Sequence, residues 1–474
     1  MFERVKRLNY KTVKHALVVA AFEGKNNLAE LDDLFDGKIL KKIKKGEISY
    51  KSGEVTTLTT FDKTNSDVIY FVGMGKASEL SLDIARKSFK RLGKKLKSNT
   101  LIVLDTFQNR KIPLNQIAEL MGESITIAQY KFDELKSEKT SRKEFNIYFN
   151  CKNDYHEYFK RGIILGTATN NARTLVNKPH NYLNAEGLAD YAIDLAKSNN
   201  LEIKVYDKNE IEDMGMSAFL AVNKGSLIQP KLIYIKYQGK EVWDDPIALV
   251  GKGLMFDTGG YNLKSNSKNM KTDMAGSASV LGAIEAIARL GLKENVMVII
   301  AATDNMIGKE AYLPDDVITS ASGKTIEIFS TDAEGRLTLV DAIWFAQKEG
   351  AKRIIDVATL TGSIVGALGG AYVGAFTNEI AFLKRLEKAA KLAGEPIWHM
   401  PIGEHFEKAI KGKVADINNA GVRMGGACAA AAFLQEFVEE DTKWIHLDIA
   451  GTASKEKTGA TGVMVRALTR LLES

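Results

Sequence analysis

Apolar and polar positions change rhythm along this chain, and the changes mark out strands and helices in turn. Residues 16–22, "ALVVAAF", form a short apolar run rich in valine and closed by Glu23, the pattern of a first buried β-strand. Further on, Lys41, Lys42, Lys44 and Lys45 alternate with Ile39, Leu40 and Ile43, which reads as the solvated face of a helix. "DVIYFVGM" predicts a strand, "ASELSLDIARKSFKRLG" a helix and "SNTLIVLD" a second strand, so the first ~165 residues read as an α/β unit. A helical bridge follows, broken at Pro179. From about residue 200, strands such as "LEIKVYD", "KLIYIKYQG", "PIALVGKG", "NVMVIIAATD", "RIIDVATL" and "WIHLDIAG" alternate with helices such as "AGSASVLGAIEAIARLG" and "AFLKRLEKAAKLAG". That alternation predicts a sheet with helices on both faces. The expected fold is α/β in two domains: a smaller N-terminal α/β domain over residues 1–165 and a larger C-terminal α/β/α sandwich with a mixed sheet over 166–474.

Composition narrows the function classes. An apolar content of 45% and a charged content of 26% are those of a soluble globular chain, and a formal charge of +6 is small for 474 residues. Nucleic-acid binding therefore rests only on modest positive charge, with no helix-turn-helix to support it. Two cysteines, Cys151 and Cys428, are too few for a disulfide framework or a cysteine zinc site, and they suit a reducing cytoplasm. Residues 358–376 are uncharged with glycines at four-residue spacing, but Gly and Thr fill much of the stretch, so it reads as a close-packed loop beside a functional site and no membrane association is expected. The six histidines show no metal-binding pair, and G-x-S-x-G is missing. "SASGKT" has Ile318 where a phosphate loop needs its first glycine, and continues as a strand, "GKTIEIFS".

Charged residues at the ends of predicted strands do not fit a core. "IALVGKG" runs into "LMFDTGGYNLKSNSKNMKTDMAGS", which places Lys252, Asp257, Lys264 and Asp273 among glycines and small polar residues. Each has a structural reading: Asp257 as an Asx turn, Asp273 as a helix opener, Lys252 as a lysine snorkelling from a strand end. The octet "STDAEGRL" at 330–337 also has two readings. Thr331 and Glu334 have capping-box spacing, whereas an extended run would project Asp332, Glu334 and Arg336 to one side. Carboxylates crowded in this way repel one another unless a cation lies between them, and two divalent ions can share bridging carboxylates while activating water. A lysine beside such ions can lose its proton and become a ligand.

The combination "VGKGLMFDTGG", "MKTDM", "STDAEGRL", "DVATLTG" and "HLDIAGTA", in this order over roughly residues 165–474, resembles the leucine aminopeptidase family of dinuclear metallopeptidases, the M17 type. The resemblance implies a non-catalytic N-terminal domain that supports oligomerisation, a catalytic C-terminal domain, and a homohexamer built as a dimer of trimers. It implies a cytosolic aminopeptidase that removes N-terminal residues from short peptides. It also implies that Lys252, Asp257, Asp273, Asp332 and Glu334 are metal ligands, Asp257 and Glu334 shared by both ions, with Lys264 and Arg336 as catalytic residues that bind no metal. The ions would be zinc or manganese, with magnesium or cobalt at the more exchangeable site, and a metal-bridging hydroxide would attack the scissile carbonyl. Lys264 would stabilise the oxyanion, and Arg336 would hold a bicarbonate that relays the proton. The S1 pocket of the family maps onto Met270, Thr359, Gly362, Ala450 and Ala453, and Leu360 matches a residue whose backbone contacts substrate, implying preference for Leu- or Met-like residues. The loop "SNSKNMKT" is shorter than in common members, and Ser330 stands where Asn is usual. Some bacterial members also bind DNA, and others could serve as inactive scaffolds; the presence of every mapped active-site residue argues against the scaffold.

Overall fold

The computed structural model describes residues 2–138, 145–421 and 424–473. Its chain separates into two units, Met1–Asn170 and Asn171–Ser474. In the first, strands β1 (Phe2–Arg4), β2 (Ala16–Glu23), β3 (Val55–Thr59), β4 (Val68–Lys76), β5 (Thr100–Val103) and β6 (Ile147–Asn150) form one sheet in the order β1-β6-β5-β2-β4-β3. The unbroken apolar run of β2 follows from its place inside that sheet. Leu17, Val19 and Ala21 enter one core, while Val18, Ala20 and Phe22 enter the core on the opposite face. The lysine-rich helix Lys38–Lys44 buries Ile39 and Ile43 and leaves Lys41, Lys42 and Lys44 toward solvent.

The second unit holds an eight-stranded mixed sheet. Its strands are β7 (Glu202–Tyr206), β8 (Lys231–Gln238), β9 (Ile247–Asp257), β10 (Asn295–Asn305), β13 (Arg353–Ala358), β14 (Val373–Thr377), β15 (Ile397–His399) and β17 (Lys443–Asp448), ordered β15-β14-β17-β13-β9-β10-β8-β7. The short strands β11 (Val317–Thr319), β12 (Thr325–Glu327) and β16 (Ile417–Asn418) make a separate three-stranded sheet. Helices Ser217–Asn223, Gly335–Lys348 and Gly426–Gln435 pack into a core on one face of the large sheet, through residues such as Phe219, Leu337 and Phe433. Helices Ala275–Leu290, Ile380–Ala393 and Val465–Leu471 pack together as the layer on the other.

The strands β17, β13, β9 and β10 run parallel at the centre of the sheet, so their carboxyl ends lie along one edge. Ala358 pairs with Asp448 there, and Asn305 pairs with Asp257 after a register shift at the end of β10. Loops leaving that edge are where an α/β sheet gathers its chemistry.

Residues 358–376 differ from the expected loop. They contain the helix Gly362–Leu368 and most of β14. Thr361 begins that helix by accepting from the Ile364 N–H at 3.1 Å. Among the described residues, no helix is long and apolar enough to cross a membrane.

Candidate metal centre

The loop after β9 turns at once. Asp257 Oδ1 accepts from Gly259 N at 2.8 Å, which is the Asx turn its sequence suggests, and also from Asn305 Nδ2 at 2.9 Å. Asn305 Nδ2 further donates to Thr331 O at 2.9 Å, tying the end of β10 to the acidic octet. Thr331 does not cap a helix. Its hydroxyl donates to Gly259 O at 2.7 Å and accepts from Asn262 N at 2.8 Å, while its own N–H reaches Asn262 Oδ1 at 2.8 Å. The helix begins instead at Gly335, with Glu334 before it and no side-chain cap. Residues 331 and 332 form a turn and Glu334 is already in the right-handed helical region, so the segment is not extended.

That turn brings acids from separate loops together. Asp257, Asp332 and Glu334 present carboxylate oxygens that all lie within 4.8 Å of one another. Asp273, in the 3-10 turn Met270–Met274, joins them through Lys252. Lys252 does not snorkel from its strand. It is 2% exposed, and its Nζ lies 2.9 Å from Asp273 Oδ1, 3.0 Å from Glu334 Oε1 and 3.1 Å from the Thr359 carbonyl. Lys264 Nζ lies 2.7 Å from Asp257 Oδ2 and also pairs with Asp332. Four carboxylates thus face two ammonium groups, a formal excess of negative charge within a largely buried site. Burial works to lower the pKa of Lys252, but Asp273, Glu334 and Asp257 outweigh it and hold the group protonated. Burial and then Asp257 push Glu334 up to about 8. Asp273 and Asp332 are raised by burial as well, against the pull of Lys252 and Lys264 respectively.

The donor set fits hard or borderline divalent cations. It supplies clustered carboxylate oxygens, a buried amine, and an oxygen, Glu334 Oε2, that makes no hydrogen bond among the described residues, the ion pair with Lys252 being made through Oε1. Gly335 is part of this fit. A Cβ on it would lie 2.3 Å from Lys252 Cε and 2.6 Å from Nζ. Gly335→Ala should therefore lower the melting temperature: the chain-entropy gain of about 0.4–1 kcal/mol is smaller than an overpacking cost of about 1–3 kcal/mol. Calorimetry of the two proteins checks the sign.

The other predicted residues take up distinct places. Arg336 is buried, its Nη1 donates to the Asn419 carbonyl at 2.6 Å, its guanidinium sits over the Phe433 ring, and its Nε has no hydrogen-bond partner among the described residues. Burial lowers its pKa to about 10. Thr359 meets the cluster directly, its hydroxyl donating to Asp273 Oδ1 at 2.8 Å. Leu360 and Ala450 share an acceptor, Asp448, which takes the N–H of both. Ala453 is buried, whereas Gly362 has open space where a Cβ would stand. Met270 opens the 3-10 turn that carries Asp273. His446 is buried within β17, with Nδ1 2.5 Å from Asp356 Oδ1.

Sequence reasoning missed Asn305, Asn262 and Asn419. Asn419 accepts from Phe329 N and Ser330 N and donates to Ser330 O at 2.7 Å, supporting the acidic turn from the far side. The place of Asn305 at the end of a parallel strand was a usable signal; Asn419, in "DINNAG", resembles any turn asparagine.

Comparison with known proteins agrees with this geometry. The profile described as the catalytic domain of the cytosol aminopeptidase family matches residues 170–469, and that of the family's N-terminal domain matches residues 18–139. A probable cytosol aminopeptidase of Bacillus subtilis (strain 168) is 43% identical, with 96% of this chain and 95% of the relative aligned. One from Bacillus licheniformis is also 43% identical, over 94% and 93%. Among solved structures, the bottromycin maturation enzyme BotP superposes with a TM-score of 0.87 at 28% identity, covering 97% of this chain and 99% of that one. The same enzyme in complex with Mn gives the same values.

Proposed function

The chain belongs to the cytosol aminopeptidase family, M17 type, and from that premise we propose that it hydrolyses the N-terminal peptide bond of short peptides with two divalent ions held by Lys252, Asp257, Asp273, Asp332 and Glu334. The observation that carries this reading is the convergence of Asp257, Asp332 and Glu334 within 4.8 Å at the carboxyl edge of a parallel sheet, with Lys252 and Lys264 against them. When bound, such ions supply a nucleophilic water at neutral pH and polarise the scissile carbonyl.

The protein's own groups do the rest. Lys252 would hold an ion only as a neutral amine, its proton released to solvent on binding against the charges that keep it in place. Lys264 is one-fifth exposed at its side chain and points its ammonium into the cluster, where it stabilises negative charge developing on the carbonyl oxygen. Arg336 offers from a buried guanidinium an Nε–H with no partner among the described residues, suited to a small anion such as bicarbonate that passes a proton. Thr359, Gly362, Ala450 and Ala453 are small, and the open space at Gly362 suits a Leu- or Met-like side chain. Zinc or manganese suits this mix of carboxylate and amine donors. Self-association as a homohexamer and a cytoplasmic location accompany the reading.

The test is hydrolysis of Leu-p-nitroanilide. Chelation should abolish it and added Zn2+ or Mn2+ should restore it; full activity in exhaustively metal-free protein would overturn the proposal.

A further inference from the structure

Asp448 lies at the end of β17, 1% exposed, and its hydrogen bonds go to Leu360, Thr361 and Ala450, outside the acidic cluster. Its Oδ1 accepts from Leu360 N at 3.1 Å and from Ala450 N at 3.2 Å, and its Oδ2 accepts from the Thr361 hydroxyl at 2.7 Å. Two loops that leave different strands are therefore joined through one carboxylate: residues 359–362 after β13 and 449–453 after β17. Two of the three donors are backbone N–H groups: that of Ala450, assigned above to the S1 pocket, and that of Leu360, which matches a residue whose backbone contacts substrate. The loops also approach each other through main chain. Ile449 N donates to Ala358 O at 2.8 Å, and a Cβ on Gly451 would lie 2.0 Å from the Gly369 carbonyl.

The charge of this carboxylate is supported from behind. His446 is two positions earlier, on the same face of β17. Its Nδ1 is held by Asp356 Oδ1, and Asp356 Oδ2 accepts from Trp444 Nε1 at 2.7 Å. Burial raises the pKa of Asp448, while His446 and the three donors pull it back toward the ionised form. A buried carboxylate satisfied by three donors is rigid, because movement of either loop leaves an acceptor unpaired.

We propose that Asp448 is the positioning residue of the S1 pocket: by accepting from Leu360, Thr361 and Ala450 together it sets the gap between the two loops, and so sets how strongly the enzyme discriminates among N-terminal side chains. It acts through Leu360 and Ala450 and touches no substrate. The inference rests on the aminopeptidase reading.

Asp448→Asn keeps an oxygen for the two N–H donors and loses the acceptor for Thr361, whereas Asp448→Ala loses all three. The test compares kcat and KM for Leu-, Met- and Ala-p-nitroanilide in fully metal-loaded full-length wild type, D448N and D448A, with metal content and melting temperature measured alongside. The expected result is a Leu:Ala ratio of kcat/KM that falls by about tenfold or more in D448A, the scale of discrimination by one or two methylenes in an apolar pocket. The loss should fall on KM for the Leu and Met substrates, with kcat for the Ala substrate and metal stoichiometry near wild type, and D448N should lie between. If D448A does not fold, D448S, whose short hydroxyl cannot span both loops, takes its place. An unchanged ratio, or an equal loss on every substrate, overturns the inference. An inactive metal-loaded wild type overturns instead the aminopeptidase reading beneath it.

Discussion

Glu334→Gln abolishes the stabilisation that divalent metal gives this protein, yet leaves the metal-free fold at least as stable as wild type. The two signs have one cause. Glu334 is 2% exposed, and burial with Asp257 pushes its pKa up to about 8. The folded state therefore binds its proton more readily than the unfolded chain does. Its contribution to metal-free stability is full below the ordinary glutamate range and is lost as pH rises through about 8. Glutamine mimics the protonated carboxyl and removes that loss, while Lys252 keeps Asp273 as its partner. A divalent ion needs the carboxylate itself, so its binding must release the proton and its affinity must rise with pH. Loss of a direct ligand should weaken binding by at least about a hundredfold, since even groups behind ligands are worth about 10–100-fold. Calorimetry with and without Zn2+ between pH 6 and 9 reads both effects. A metal-free variant much less stable than wild type, or a metal response that survives, would show that Glu334 is a structural ion-pair residue.

Lys264→Met should lower kcat by about 10²–10³ with little change in KM, the scale of losing one preorganised donor to an oxyanion. Its effect on metal should run the other way. Lys264 Nζ pairs with Asp257 and Asp332, two of the three acids in the tight cluster. Its ammonium therefore competes with an incoming cation for the same oxygens, and methionine removes the competitor while keeping most of the side-chain volume. Metal affinity should be equal or higher in the variant. Isothermal titration with Mn2+ beside steady-state kinetics separates the roles, and a fall in affinity would mean that Lys264 is a ligand.

Much of the fold was legible because burial writes a simple pattern. Residues 16–22 are apolar without interruption since both faces of β2 enter a core, and the lysines of 38–44 alternate with isoleucine since only one face of that helix does. The acids of the site were legible for a different reason: carboxylates beside glycine at strand ends have no place in a core. What held them in position was not. Thr331 and Glu334 have the spacing of a capping box, but the Thr331 hydroxyl bonds to Gly259 and Asn262, some seventy residues earlier, and no local pattern reports such a contact. Lys252 looked like an exposed strand end because its neutralising acids come from two other loops. Asp448 carried no chemical signal, since a strand-ending aspartate gives no hint that its acceptors are shared between loops.

The acidic turn and the loop after β9 are fastened together by Thr331, Asn262 and Asn305, through bonds made almost wholly to main-chain atoms. The scaffold thus sets the shape of the cluster in advance, and it also grips Asp257 directly through Asn305 Nδ2 and Gly259 N. An ion arriving there need not organise its own cage, and on the metallopeptidase reading one cation should replace another of different size without a change of fold. Exchange of metals should then be fast, reversible and silent in the far-ultraviolet circular dichroism spectrum, an economy that suits a catalyst whose supply of ions varies.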